Sequence, residues 1–364
     1  MRRRTAIIET ALGLAAAVML CGCAALANAT QAGSPASSGS TSAGTAAAEL
    51  RLGYFANVTH APALVGVEEG FLQDALGDTR LSTQVFNAGP AAIEALSAGA
   101  IDATYIGPNP AINTFIKSGG ASAVVVAGAA SGGAALVVRE GIDSADDLAG
   151  TTIATPQLGN TQDVALRSWL SAEGYTTDTM GGGDVHITPT ENAQALALFQ
   201  SGQLDGAWLP EPWVSRLVLE AGAHVLVDEA ELWDDGSFPT TVLLVNRQFF
   251  DAHPQTVRDL VAGHAASVTW LNDDPDAAAA SINARLTADT GKALSNEVLQ
   301  RALHHVSFTT DPVAAAFPQL LEAGVTAGTA KKGELDGLFA LSILNALRAD
   351  AGEDPVSAGG LGTE

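Results

Sequence analysis

Residues 91–102 read Ala-Ala-Ile-Glu-Ala-Leu-Ser-Ala-Gly-Ala-Ile-Asp and continue as Ala103-Thr-Tyr-Ile-Gly-Pro108-Asn-Pro110. The pattern returns as Gln194-Ala-Leu-Ala-Leu-Phe-Gln-Ser-Gly-Gln-Leu-Asp205, followed by Gly-Ala-Trp-Leu-Pro210-Glu-Pro212. Gly99 and Asp102 in the first copy match Gly202 and Asp205 in the second. Each copy reads as a helix, a glycine turn, a short buried strand and a Pro-x-Pro loop. Two similar lobes in one chain imply a cleft between them.

The flanking sequence extends the scheme. In the first half, strands at Leu50–Phe55, Leu81–Phe86, Asp102–Ile106 and Ala121–Ala129 alternate with helices at Ala61–Gly77, Pro90–Ala98 and Pro110–Ser118. Short apolar strands between helices imply sheets covered on both faces. Ala134–Arg139 reads as a further strand and a crossing point. The second half repeats the alternation from Asp143 to Val227, and Phe238–Asn246 could cross back. Beyond Arg247 the chain reads helical, with a break at Pro254 and an apolar face from Leu338 to Leu344. The expected fold is therefore α/β and two-lobed, each lobe a mostly parallel sheet flanked by helices, with a helical C-terminal segment. The expected segments are a first lobe over 49–138, a second over 139–240, a return to the first over 241–350, and a loose tail over 351–364.

The N-terminus reads as a targeting segment. Arg2, Arg3 and Arg4 precede the short apolar run Ala11–Leu20, too short to span a bilayer as a mature helix. Gly22-Cys23 then resembles the bacterial lipobox, with Cys23 as the lipidated residue. Residues 1–22 are thus expected to be a lipoprotein signal peptide, and 23–48, poor in charge and rich in Ala, Ser, Gly and Thr, a flexible tether. Cys21 and Cys23 are the only cysteines, so disulfides, zinc–thiolate sites and thiol catalysis are excluded beyond them. The formal charge of −23 argues against nucleic acid or anionic membrane bound through a basic face.

Ligands of open α/β sheets bind where strand ends lead into helix starts. Four such loops stand out. The first carries Asn57, Thr59 and His60 ahead of Pro62. The second places Asn109 between Pro108 and Pro110. The third, Thr155-Pro-Gln157-Leu-Gly159-Asn160-Thr161-Gln162, combines a glycine with free N–H groups at a helix start, a ready anion site. The fourth, Trp208-Leu-Pro-Glu211-Pro-Trp213, offers two indoles and a carboxylate. Asn57, Thr59, Asn109, Asn160 and Thr161 could equally serve as helix caps, and Trp208 could be core. No Walker loop, His-Glu-x-x-His helix or Gly-x-Ser-x-Gly elbow occurs, none of the four lysines falls in these loops, and no metal site or cofactor is expected.

Four segments carry a resemblance over residues 49–245. They are Leu52-Gly-Tyr-Phe with Thr59-His-Ala-Pro62, Gly99-Ala-Ile-Asp-Ala with Gly107-Pro-Asn109, Thr155 to Thr161, and Leu204-Asp-Gly-Ala-Trp with Pro210-Glu-Pro212. Together they resemble the nitrate/sulfonate/taurine-type solute-binding proteins of bacterial ABC transporters. The resemblance implies a type II periplasmic-binding fold that closes on a small ligand and delivers it to a permease driven by a cytoplasmic ATPase. It implies a non-enzymatic, extracytoplasmic monomer held at the outer face of the membrane by its lipid alone, with an alkanesulfonate or taurine as ligand. Nitrate, aromatic acids and thiamin-precursor pyrimidines are the alternative ligands, and a pyrimidine-synthase-like enzyme is the alternative class.

Overall fold

The computed structural model describes residues 46–364, so the expected signal peptide, Cys23 and most of the tether lie outside the described residues. The chain is already tied down at Ala47. Its N–H donates to Thr256 Oγ1 at 2.8 Å, and its carbonyl accepts from Thr79 Oγ1 at 2.7 Å.

The apolar runs form thirteen strands: β1 (Glu49–Phe55), β2 (Arg80–Phe86), β3 (Ala103–Ile106), β4 (Ala123–Gly132), β5 (Ala134–Val138), β6 (Thr152–Thr155), β7 (His186–Pro189), β8 (Gly206–Pro210), β9 (His224–Asp228), β10 (Pro239–Asn246), β11 (Val306–Phe308), β12 (Phe339–Ala340) and β13 (Gly362–Thr363). They make two sheets. The first has the order β13-β12-β4-β10-β3-β1-β2, with β11 also on β4, and the second β7-β6-β8-β5-β9. β1 pairs in parallel with β2 and β3, and β6 in parallel with β7 and β8. β10 runs antiparallel to β3 and β4, and β5 antiparallel to β8 and β9, so each sheet is mixed. The strand that enters each sheet from the other one, β10 in the first and β5 in the second, runs antiparallel to its neighbours, and β11 is likewise antiparallel to β4.

The first crossing falls between β4 and β5, at Gly132-Gly133, earlier than Arg139. Both glycines have positive φ, 79° and 75°. A Cβ on Gly133 would lie 2.4 Å from Val306 Cγ2, so the crossing needs glycine for space as well as conformation. β5 consequently belongs wholly to the second sheet. The second crossing runs from β9 through the turn Glu229–Leu232 into β10.

Three other expectations change. The run Ala61–Gly77 is two helices, Ala61–Glu68 and Phe71–Leu76, parted at Gly70. Leu338–Leu341 is not the start of a long helix. All four residues are buried in succession, and Phe339 pairs with Val125, making this the strand β12; the helix begins only at Ser342. The tail is no loose end either. Gly362 and Thr363 pair with β12, Val356 and Ala358 are buried, and the Glu364 carboxylate accepts from Ser357 Oγ and Ala358 N–H. Backbone pairing at a sheet edge leaves no hydrophobic period to read.

The repeated Gly…Asp turns out to hold strands together at the sheet ends away from the cleft. Asp102 Oδ2 accepts from Arg51 N–H and Nε, both at 2.9 Å. Asp205 Oδ2 accepts from Thr152 N–H at 2.8 Å, and its other oxygen lies 3.1 Å from Arg139 Nε. In each lobe the aspartate anchors the strand beside its own and pairs an arginine. Arg139 is thereby placed on Asp205, far from the strand ends that face the cleft. Asp102 is 9% exposed and Asp205 35%. Asp102→Ala should therefore cost about 2–3 kcal/mol and Asp205→Ala about 1 kcal/mol in urea unfolding. Equal costs would contradict this burial argument.

Candidate functional site

The carboxyl ends of β1, β6 and β8 converge on a small cavity between the two sheets. Phe55, Asn57, Thr59, His60, Asn87 and Gly107 line it from the first lobe. Pro156, Asn160, Gln162, Asn192 and Pro210 line it from the second, and Thr240 reaches it from β10. The free space is about 20 Å³, room for one or two water-sized groups.

Among the described residues, none that lines the cavity carries a formal charge. Instead, helices begin there. Gly107 caps the helix Pro108–Ser118, Asn160 caps Thr161–Ala172, Asn192 opens Asn192–Gln200, and the turn Val58–His60 leads into Ala61–Glu68. The first N–H groups of a helix have no intrahelical partner and carry its positive dipole end. Several such ends bordering one cavity suit a negative ligand without any cationic side chain.

His60 is neutral there. It is buried, packs tilted against Phe55 at 4.3 Å between ring centroids, and burial lowers its pKa to about 3. Its Nδ1 accepts from Phe55 N–H at 3.3 Å, which leaves the proton on Nε2 as a donor.

Polar contacts close the lobes over the cavity. Gly89 N–H of the first lobe donates to Asn160 Oδ1 of the second at 3.0 Å, so Asn160 bridges lobes instead of capping its helix by its side chain. Trp213 Nε1 donates to Asn57 Oδ1 at 2.8 Å, and Asn87 Nδ2 to Glu191 Oε1 at 2.8 Å. Thr161 seats against Gly107, where a Cβ would lie 2.3 Å from Thr161 Oγ1.

Residues 43–287 match the NMT1-like family. The chain belongs to the NMT1-like family. The taurine-binding periplasmic protein of Escherichia coli is 26% identical over 48% of this chain and 52% of its own. Among solved structures, the alkanesulfonate-binding protein of Xanthomonas axonopodis pv. citri, bound to MOPS, superposes with a TM-score of 0.67 at 22% identity, over 79% of this chain and 96% of that one. The periplasmic nitrate-binding protein of Synechocystis PCC 6803 gives 0.65 at 16% identity, over 76% and 81%. The fold is the two-lobed periplasmic binding protein fold.

Within this NMT1-like fold the loop Pro156–Asn160 is held by a buried ion pair. Asp163 and Arg167 have no exposed side-chain surface and meet at 3.0 Å. Asp163 also accepts from Thr155 Oγ1 and from Gly159 N–H, each at 2.9 Å, and Arg167 Nη1 donates to Asp178 O. Gly159, with φ of 77°, therefore spends its N–H on the framework. Gln157 contributes its carbonyl to Asn160 N–H.

Of the residues singled out in the sequence, Asn57, Thr59, His60, Asn160 and Gln162 meet at the cavity. The rest lie elsewhere. Trp208 is fully buried beside Trp169 and donates Nε1 to Glu229 Oε2 at 2.8 Å. Glu211 is buried, accepts from Ser215 N–H and Oγ, and lies 3.2 Å from Arg301; its pKa is raised by that burial. Asn109 donates Nδ2 to Leu320 O at 3.0 Å. Trp213 reaches the site only through Asn57. Asn87, Asn192 and Thr240 line the cavity but escaped the sequence reading. Asn87 and Asn192 follow β2 and β7, two further strand-to-helix loops that the same rule covers. Thr240 arrives by the second crossing, and nothing in its local sequence signals that.

The buried histidines make stability depend on pH. Free histidine ionises near 6.5, whereas His60 in the fold is held to about 3 and His264 to about 4. Between those values the unfolded chain binds protons that the fold excludes, so stability falls as pH drops from 6.5 towards 4. Glu229 acts oppositely, since burial raises it from 4.5 to about 7 and the fold keeps a proton that the unfolded chain releases. His60→Gln should therefore flatten the fall of Tm between pH 6.5 and 4, as read by calorimetry across buffers. An unchanged slope would refute a buried neutral His60.

Proposed function

We propose that this chain is the extracytoplasmic solute-binding component of an ABC importer, and that its cleft takes a small organic anion, an alkanesulfonate or taurine. The observation that carries this reading is the charge-free cavity at which helix N-termini from both lobes converge. Hydrogen bonds from backbone N–H to an ionised oxygen are short and strong, so a sulfonate needs no lysine or arginine there. The likeness to taurine-binding and alkanesulfonate-binding proteins supports the same ligand class. Solute then passes to a permease driven by an ATPase. Lipid on Cys23 anchors the chain, and among the described residues no helix is long and apolar enough to cross a membrane.

One observation favours a second ligand. At about 20 Å³ the closed cavity suits an inorganic oxyanion such as nitrate, while an alkyl tail requires the lobes to stop short of this closure. A nitrate-binding protein shares the fold.

Thermal unfolding against taurine, ethanesulfonate, nitrate and bicarbonate separates the two readings. A true ligand at ~100 times its Kd adds ~2.7 kcal/mol to stability. Taurine or ethanesulfonate should raise Tm, and Asn160→Ala should weaken that ligand about tenfold by removing the bridge to Gly89. A response to nitrate alone selects the second reading, and silence from every anion defeats both. Separately, Cys23→Ser should release the protein into the medium; membrane retention of this variant would overturn the lipid anchor.

A further inference from the structure

Beside the second crossing lies another and larger cavity, half open to solvent and of about 450 Å³. One wall is the helix Thr161–Ala172. A second is the crossing segment from Glu229 to Trp233, and a third the helix Phe317–Thr326 of the first lobe. The seat of Thr161 on Gly107 separates this space from the anion cavity.

Its chemistry is opposite to that of the anion cavity. Trp169 and Trp233 offer indole surface, and Glu229 and Glu322 offer carboxylates. Among the described residues no lysine, arginine or histidine lines it. Glu229 is 2% exposed and accepts from Trp208 Nε1. Among the described residues no cationic side chain pairs with it, and burial raises its pKa to about 7. Asn109 also lines the cavity. Its Nδ2 is spent on Leu320 O, while its buried Oδ1 has no partner. A buried acceptor without a donor is costly and calls for one. The complement to a carboxylate, a free amide oxygen and two indoles is a cation that brings N–H donors on an apolar body.

We propose that this cavity is a second ligand site, taking a primary organic ammonium with an aromatic or alkyl body. The ammonium N–H groups reach Glu229 and Asn109 Oδ1, and the apolar body lies along Trp169 and Trp233. This inference does not rest on which anion the cleft binds.

Isothermal titration of the full chain with phenethylammonium chloride tests it, with uncharged 2-phenylethanol as the shape-matched control. Saturable binding of the ammonium is expected at millimolar concentration or below, with the alcohol at least about tenfold weaker. Glu229→Gln should lose about tenfold in ammonium affinity while keeping an oxygen for Trp208 Nε1. Trp233→Leu, at a half-buried position, gives a second variant should the first fail to fold, and the same weakening is expected. No heat from the ammonium, equal binding of the alcohol, or full affinity in the folded variants overturns the proposal. Taurine and nitrate titrations on the same samples report the cleft separately, so either reading can fail alone.

Discussion

Asp163 has no exposed surface, yet it organises the face that both cavities share. Its oxygens are spent on Arg167, on Thr155 Oγ1 and on the N–H of Gly159. A buried carboxylate must be satisfied in this way, because desolvation of an unpaired charge costs more than the fold can supply. The consequence is geometric. With Gly159 pinned, Asn160 leaves the loop at one angle, Gln162 faces the anion cavity, and Thr161 meets Gly107. The lobe contact through Gly89 and the partition between the two cavities both follow from that one buried pair.

The two cavities illustrate how one helix can serve opposite chemistries. The start of Thr161–Ala172 presents N–H groups to a space without formal charge, where a negative group is favoured. About two turns further along, the same helix sets Trp169 in a cavity shared with the carboxylates of Glu229 and Glu322. The separation depends on a close approach of Thr161 to a residue without a side chain, Gly107. The strongly acidic surface of the chain is compatible with both, since neither space opens on a basic field.

Much of the architecture could be read directly. The strand–helix alternation, the break at Pro254, the doubling of the Gly…Asp turn and the first-loop residues Asn57, Thr59 and His60 all followed from local pattern. Hydrophobic periodicity and proline act within a few residues, so they leave a local trace. The candidate site was only half legible for the same reason. Trp208 and Glu211 stand at the right strand end, but their side chains turn to Glu229 and to Ser215 and Arg301. Whether a strand-end side chain faces the cleft or the core depends on what packs behind it.

The sequence by itself determined that two α/β lobes would face one another and that amide, hydroxyl and imidazole groups would gather at their strand ends. Tertiary structure alone decided where the chain crosses, because Gly132-Gly133 matters only once Val306 stands beside it. It alone decided that the apparent tail would close a sheet edge, and that Thr240 would join the cavity. These outcomes depend on contacts between residues distant in sequence. Burial, not local propensity, selects them, since an unsatisfied polar group or an overlapping Cβ is costly inside a closed fold.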